Sequence, residues 1–210
     1  MAARTASHRL LLRHTTTPTQ LPFSGSSSRR AFISLPGTSP QSLVATRTLP
    51  YAREPLYELI ADVDSYSAFV PYCSHSRVTQ WSPPDASGRR WPALADLHVG
   101  WGGFDEAFTS RLRCVPGVSV EARSGGSAGD GPAKDASSVF KTLETLWSLT
   151  PVARQSAASP STEVRLTITF EFVNPLYAAV SAAVSDKMAA LMIEAFEKRV
   201  HYKLSAQQRL

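Results

Sequence analysis

From Val164 to Phe172 the chain alternates apolar and polar side chains without a break. Val164, Leu166, Ile168, Phe170 and Phe172 interleave with Arg165, Thr167, Thr169 and Glu171, and a helical period begins directly afterwards. The alternation demands a β-strand with one greasy and one wet face, hence an antiparallel sheet open to water on one side. Asn174 is a good helix cap, and Pro175 suits the first helical position. Beyond them Leu176, Val180, Val184, Met188, Leu191, Met192, Ala195, Phe196 and Val200 form an apolar stripe at three- and four-residue spacing. Lys187, Lys198, Arg199 and Lys203 lie off or beside it, weighted toward the negative end of the helix. A helix of about 28 residues would be roughly 40 Å long, enough to cross the whole sheet. One long helix must therefore cover the apolar face of one antiparallel sheet.

Upstream, Leu43–Leu49 predicts a short strand, rich in β-branched residues. Glu54–Asp62 predicts a short helix with Leu56, Leu59 and Ile60 on one face and Pro55 in its first turn. Asp64 is placed to cap a second short helical turn carrying Tyr66 and Phe69, which Pro71 stops. Strands are expected over 74–81, 93–99, 104–115, 118–123, 139–149 and 162–173. The stretches Ser82–Arg90, Ser124–Ser138 and Pro151–Thr162 carry turn signals and are predicted to be surface loops. The fold class is α+β: a curved antiparallel sheet wrapped around a long C-terminal helix, with two short helices after the first strand. Between a bent sheet and a helix lies a cavity unless side chains fill it, and a ligand belongs there.

Charge divides the chain in two. The net charge is +5, yet residues 1–53 contain seven arginines and no acid, so the remainder carries fifteen bases against all seventeen acids. The basic character belongs to the leader, which removes the support for a nucleic-acid partner. Residues 1–40 are rich in Arg, Ser and Thr, with a short apolar patch at Leu10, Leu11 and Leu12 between Arg9 and Arg13. That composition predicts a mitochondrial transit peptide; a secretory signal needs an apolar run of about seven or more. Arg29-Arg30-Ala31-Phe32-Ile33-Ser34 has the pattern of a processing site. The body is expected to span 43–204, with a tail over 205–210. Nowhere does the sequence offer the ~18–20 consecutive apolar residues of a membrane-spanning helix.

Catalytic and metal signatures are weak. Cys73 and Cys114 are far apart, and Cys73 with His75 has no second pair to complete a tetrahedral site. Both cysteines are expected to be thiols, and no metal is expected. Glycine-rich phosphate loops and nucleophile elbows are absent. Glu106 is the best-placed carboxylate, sharing parity with Phe104, Phe108 and Leu112; an ion pair or hydrogen bond at a cavity mouth suits it better than acid–base work. The residues favour a binder over an enzyme.

Several strings resemble the coenzyme Q-binding proteins of the START-like, polyketide-cyclase-like superfamily. They are Leu56-Tyr57-Glu58-Leu59-Ile60-Ala61-Asp62-Val63, Phe69-Val70-Pro71-Tyr72-Cys73, Phe108-Thr109-Ser110-Arg111, Leu143-Glu144-Thr145-Leu146-Trp147, Phe170-Glu171-Phe172 and Ala195-Phe196-Glu197-Lys198-Arg199. The resemblance covers roughly residues 45–204. It implies a helix-grip fold whose hydrophobic tunnel binds ubiquinone or a polyprenylated precursor, with no catalytic cofactor. It also implies a peripheral place on the matrix side of the mitochondrial inner membrane, near quinone-biosynthesis or respiratory complexes.

On that basis the tunnel lining is expected from Leu166, Ile168, Phe170 and Phe172 on the last strand and Val184, Met188, Leu191 and Met192 on the helix. Phe69, Val70, Tyr72, Trp101 and Phe104 are expected at the mouth, and Phe108 on the wall. Trp101 and Phe104, among three glycines at a hairpin end, are expected to touch membrane or gate the tunnel. Glu106 and Arg111 are the expected polar contacts to a head group. Two other functions share the fold: a polyketide cyclase/aromatase-like enzyme, and a ribosome-associated interaction module.

Overall fold

The strand that dominates the sequence sits next to one edge of a seven-stranded sheet. In the computed structural model, residues 40–101, 104–125, 139–153 and 160–207 are described, with backbone alone for 101, 104, 175–186 and 206–207. The predicted leader and its processing site lie outside them. The elements run β1 (Gln41–Leu49), α1 (Arg53–Ala61), a 3₁₀ helix (Val63–Ala68), β2 (Cys73–Trp81), β3 (Pro92–Trp101) and β4 (Phe104–Val115). They continue with β5 (Ser119–Gly125), β6 (Phe140–Pro151), β7 (Thr162–Phe172) and α2 (Pro175–Gln207). The sheet order is β1-β7-β6-β5-β4-β3-β2, and every neighbouring pair is antiparallel. This is the expected helix-grip arrangement: α1 and the 3₁₀ helix carry the chain from one edge strand to the other, and α2 packs on β1 and β7.

Alternation holds along all of β7, where Thr162, Val164, Leu166, Ile168, Phe170 and Phe172 are buried and the residues between them are partly or fully exposed. Burying these side chains stabilises the sheet by about 25 cal/mol for each Å2 of apolar surface removed from water. Helix α1 buries Tyr57 beside Leu56 and Ile60. Tyr57 then meets Trp91 edge-on, ring centroids 5.0 Å apart, a contact the helical spacing did not reveal.

Two local expectations are corrected. Asp64 does not cap the 3₁₀ helix, whose N-cap is Asp62. Its carboxylate instead accepts the Val78 backbone N–H at 2.6 Å, and Ser76 Oγ donates to the Asp64 carbonyl at 3.2 Å, so the 3₁₀ helix is tied to β2. Second, among the described side chains of α2 the buried ones are Ala189, Ile193, Phe196, Val200 and Leu204. Leu191 is exposed. At 100° per residue Leu191 stands well round the helix from Phe196. A wide apolar stripe leaves its own rotation open by about one residue, and packing against β1 and β7 decides it.

Of the predicted loops, Ser82–Arg90 is described throughout and joins two strands, while residues 126–138 and 154–159 of the other two lie outside the described residues. Between β2 and β3, the Asp85 carboxylate accepts Ser87 N, Ser87 Oγ and Arg89 N on one oxygen and Trp91 Nε1 on the other, all within 3.0 Å. These bonds hold the acid well below the ordinary carboxylate pKa, the Ser87 hydroxyl contributing most. Ser124 is a correction: it lies within β5, buried, where its Gly-rich surroundings predicted the start of a loop.

Candidate functional site

The inner face of the sheet is not filled uniformly. Near α1, the apolar positions are large and interlocked: Trp147 packs on Phe196 with centroids 5.1 Å apart, among Leu149, Val164, Leu166 and Ile193. Toward β3–β6 the inward positions become small. Strand β5 points Val120, Ala122 and Ser124 inward, with Ser110 of β4 beside them and Thr145 of β6 opposite Ala122 in register. Short side chains across adjacent strands cannot reach α2, and a cavity of about 180 Å3 remains. One water needs only ~10–15 Å3 by the same measure, so the space is ample for an organic ligand.

Its wall is apolar almost throughout. Phe140, Phe170 and Phe172 form a cluster, with Phe140 stacked on Phe172 at 5.2 Å and Phe170 edge-on to Phe172 at 5.2 Å. Met188 and Met192 face the cavity from α2, flexible side chains that adapt to an irregular guest. The Cys73 thiol also lines it. Burial pushes that thiol up while it donates to the His75 carbonyl at 3.2 Å, so it is an apolar wall atom and a poor nucleophile. Burial likewise pushes up the Tyr66 phenol, which donates to the Ile60 carbonyl at 2.6 Å.

The string Phe69-Val70-Pro71-Tyr72-Cys73 builds one rim. Val70 N–H donates to the Tyr66 carbonyl at 2.8 Å, and the Tyr72 carbonyl accepts Gly100 N–H at 2.9 Å, which fastens the turn to β3. Tyr72 has φ +63°, the left-handed region, and among the described residues it is the sole non-glycine there. Its ring lines the cavity yet is 46% exposed, so one side chain touches both the interior and water. A residue held in a disfavoured backbone conformation at a rim marks a place where geometry is fixed by more than local preference.

Of the residues expected to line a tunnel, the structure brings together Val70, Tyr72, Phe108, Ile168, Phe170, Phe172, Met188 and Met192 around this cavity. Leu166 is fully buried in the packed half, away from it. Phe69 is partly buried and packs against the core outside this lining, its ring edge-on to Tyr66 at 5.6 Å and under the Arg199 guanidinium at 5.4 Å. Together with Leu191 it borders an outer groove beside α2. The side chains of Trp101, Phe104 and Val184 lie outside the described residues, although the Trp101 and Phe104 backbones pair across β3 and β4.

The two expected polar contacts both stand outside this lining. Glu106 is buried on the inward face of β4 but is not among the lining residues. Arg111 is exposed, because odd-numbered positions of β4 point away from the cavity. The lining polar groups that sequence reasoning missed are Ser110, Ser124 and Thr145. The signal was present: Val120, Ala122 and Ser124 alternate with Glu121 and Arg123, as Ser110 does with its neighbours.

Comparison with known proteins places this geometry. Residues 49–197 match the family described as polyketide cyclase/dehydrase and lipid transport. The coenzyme Q-binding protein COQ10 of Eremothecium gossypii, named as mitochondrial, is 34% identical over 191 residues, covering 87% of this chain and 85% of that one. The chain belongs to the coenzyme Q-binding protein family. The ribosome association toxin RatA of Escherichia coli K12 is a more distant relative, 29% identical over 77% of this chain and 87% of its own. Among solved structures, an 18 kDa protein of Caulobacter crescentus superposes with TM-score 0.53 at 28% identity, over 77% of this chain and 97% of that one. The matched range takes in β2 to β7 and most of α2, the elements between which the cavity lies.

Proposed function

We propose that this chain is a lipid-binding chaperone that holds coenzyme Q, or a polyprenylated precursor of it, in the cavity between sheet and helix. The observation that carries the reading is an apolar cavity of about 180 Å3 between sheet and helix in a chain of the coenzyme Q-binding family. Each CH2 moved from water into such a space contributes about 0.8 kcal/mol, so a few prenyl units outweigh the cost of ordering the tail. Among the described residues the lining has no carboxylate, imidazole or ammonium group, which favours holding over turnover. We further place the protein in mitochondria, peripheral to the matrix face of the inner membrane, serving quinone biosynthesis or respiratory complexes. The acid-free arginine leader and the relatives' names support that placement. Among the described residues no helix is long and apolar enough to cross a membrane.

Lipid extracted from the purified protein and weighed by mass spectrometry tests the reading. A polyprenyl quinone in near-stoichiometric amount is the expected result. Protein that carries no lipid and sediments with ribosomes would instead align it with its toxin relatives.

A further inference from the structure

Two hydroxyls stand side by side in the wall of an otherwise greasy cavity. Ser110 of β4 and Ser124 of β5 lie one step beyond the Arg111–Arg123 register pair, and their Oγ atoms are 2.7 Å apart. Ser110 is 3% exposed and Ser124 7%, and both line the cavity. Each hydroxyl brings one donor and two acceptor lone pairs. The bond between them uses one O–H and one lone pair, whichever serine donates. One O–H is then left without an acceptor among the described residues. A buried donor of that kind is costly to leave unpaired in apolar surroundings.

We infer that the Ser110–Ser124 pair is the subsite for the oxygen-bearing ring of a prenylated quinone, fixing which end of the ligand enters this part of the cavity. The inference rests on the quinone reading above and deepens it. The spare O–H donates to a ring carbonyl, and the rest of the ring and its tail lie against Phe170, Phe172, Met188 and Met192. Because a hydroxyl rotates and also accepts, the same pair takes the O–H of a hydroquinone or phenolic precursor. The subsite is neutral, so it orients the ring without imposing a charge on it. Thr145, one diagonal step along β6, gives the same region a third hydroxyl. Glu106 and Arg111 are not needed for this role.

The test compares the parent with Ser110→Ala/Ser124→Ala, titrating each with a short-chain ubiquinone and with squalene, a polyprene that has no oxygen. Removing both partners together leaves no orphaned group, so the variant should fold as the parent does. Loss of one neutral hydrogen bond should weaken ubiquinone binding by about fivefold. Squalene binding should not fall. In infrared spectra the carbonyl stretch of bound ubiquinone should lie lower in the parent than in the variant. Equal ubiquinone affinity and an unshifted carbonyl band in both proteins would overturn the subsite while leaving quinone binding intact. A parallel loss of both ligands would overturn it too, since that reports damage to the cavity. Parent protein that takes up squalene but refuses ubiquinone would defeat the quinone reading itself.

Discussion

The two halves of the inner face are made from one sheet and one helix, yet one is solid and the other hollow. In the solid half, Phe196, Ile193 and Leu166 are packed core, Tyr57 and Trp91 close the end, and Trp147 stands at the border, packed on Phe196 and lining the cavity. In the hollow half, the hydrogen-bond ladder between β4, β5 and β6 is just as regular. What differs is side-chain reach. Ala122, Ser124 and Ser110 stop short of α2, while their counterparts in the solid half are aromatic or branched. Stability and binding are thereby assigned to different ends of the same strands.

Truncation should expose that division most sharply. Phe196, 1% exposed in the solid half, should cost about 3–5 kcal/mol when replaced by alanine, because it opens a cavity among close-packed neighbours. Phe108 borders space that already exists, so Phe108→Ala should cost about half as much, and should change ligand affinity more than Phe196→Ala does. Urea unfolding of the two variants checks this; equal losses would mean the halves are packed alike.

Filling the hollow half is the converse. Ala122→Phe should leave a folded protein of similar midpoint while lowering bound quinone by roughly tenfold or more. Lipid content and melting temperature of the same preparation measure both. Retained lipid would show that the ligand lies elsewhere.

The rim gives a smaller effect. Left-handed backbone costs a non-glycine residue on the order of 1–2 kcal/mol, so Tyr72→Gly should remain within about 1 kcal/mol of the parent despite losing a ring. Tyr72→Val, β-branched, should be clearly worse in the same denaturant series.

The smallest effect belongs to the solid end, where Asp85 braces the Trp91 indole. Its folded pKa is depressed, so its contribution is complete above the unfolded carboxylate value near about 3.9 and is lost as pH falls through the folded one. Asp85→Asn should therefore lower the melting temperature slightly at neutral pH, and the gap from the parent should close in strong acid. A gap that widens on acidification would mean other groups control the loop.

Much of the fold could be read from local pattern. Period two located β7, Pro175 opened α2 where expected, and the predicted strands fall within a few residues of those observed. The hollow could not be read in the same way. Alternation tells which side chains face inward, but not whether those from the sheet meet those from the helix across the gap. That is why Leu166 and Ile168, two residues apart on one face, differ: one is packed core and the other cavity wall. Rotation of α2 decided Leu191, and chain parity, legible but outweighed by charge chemistry, separated Arg111 from Ser110. Ser124 was hidden by the glycines that follow it.

A void formed by short residues on β5, with backbone pairing untouched, can be resized by single substitutions without redesigning the scaffold. Capacity for a guest is then set like the spacing of teeth on a comb: lengthen or clip one, and a longer or bulkier cargo is refused or admitted.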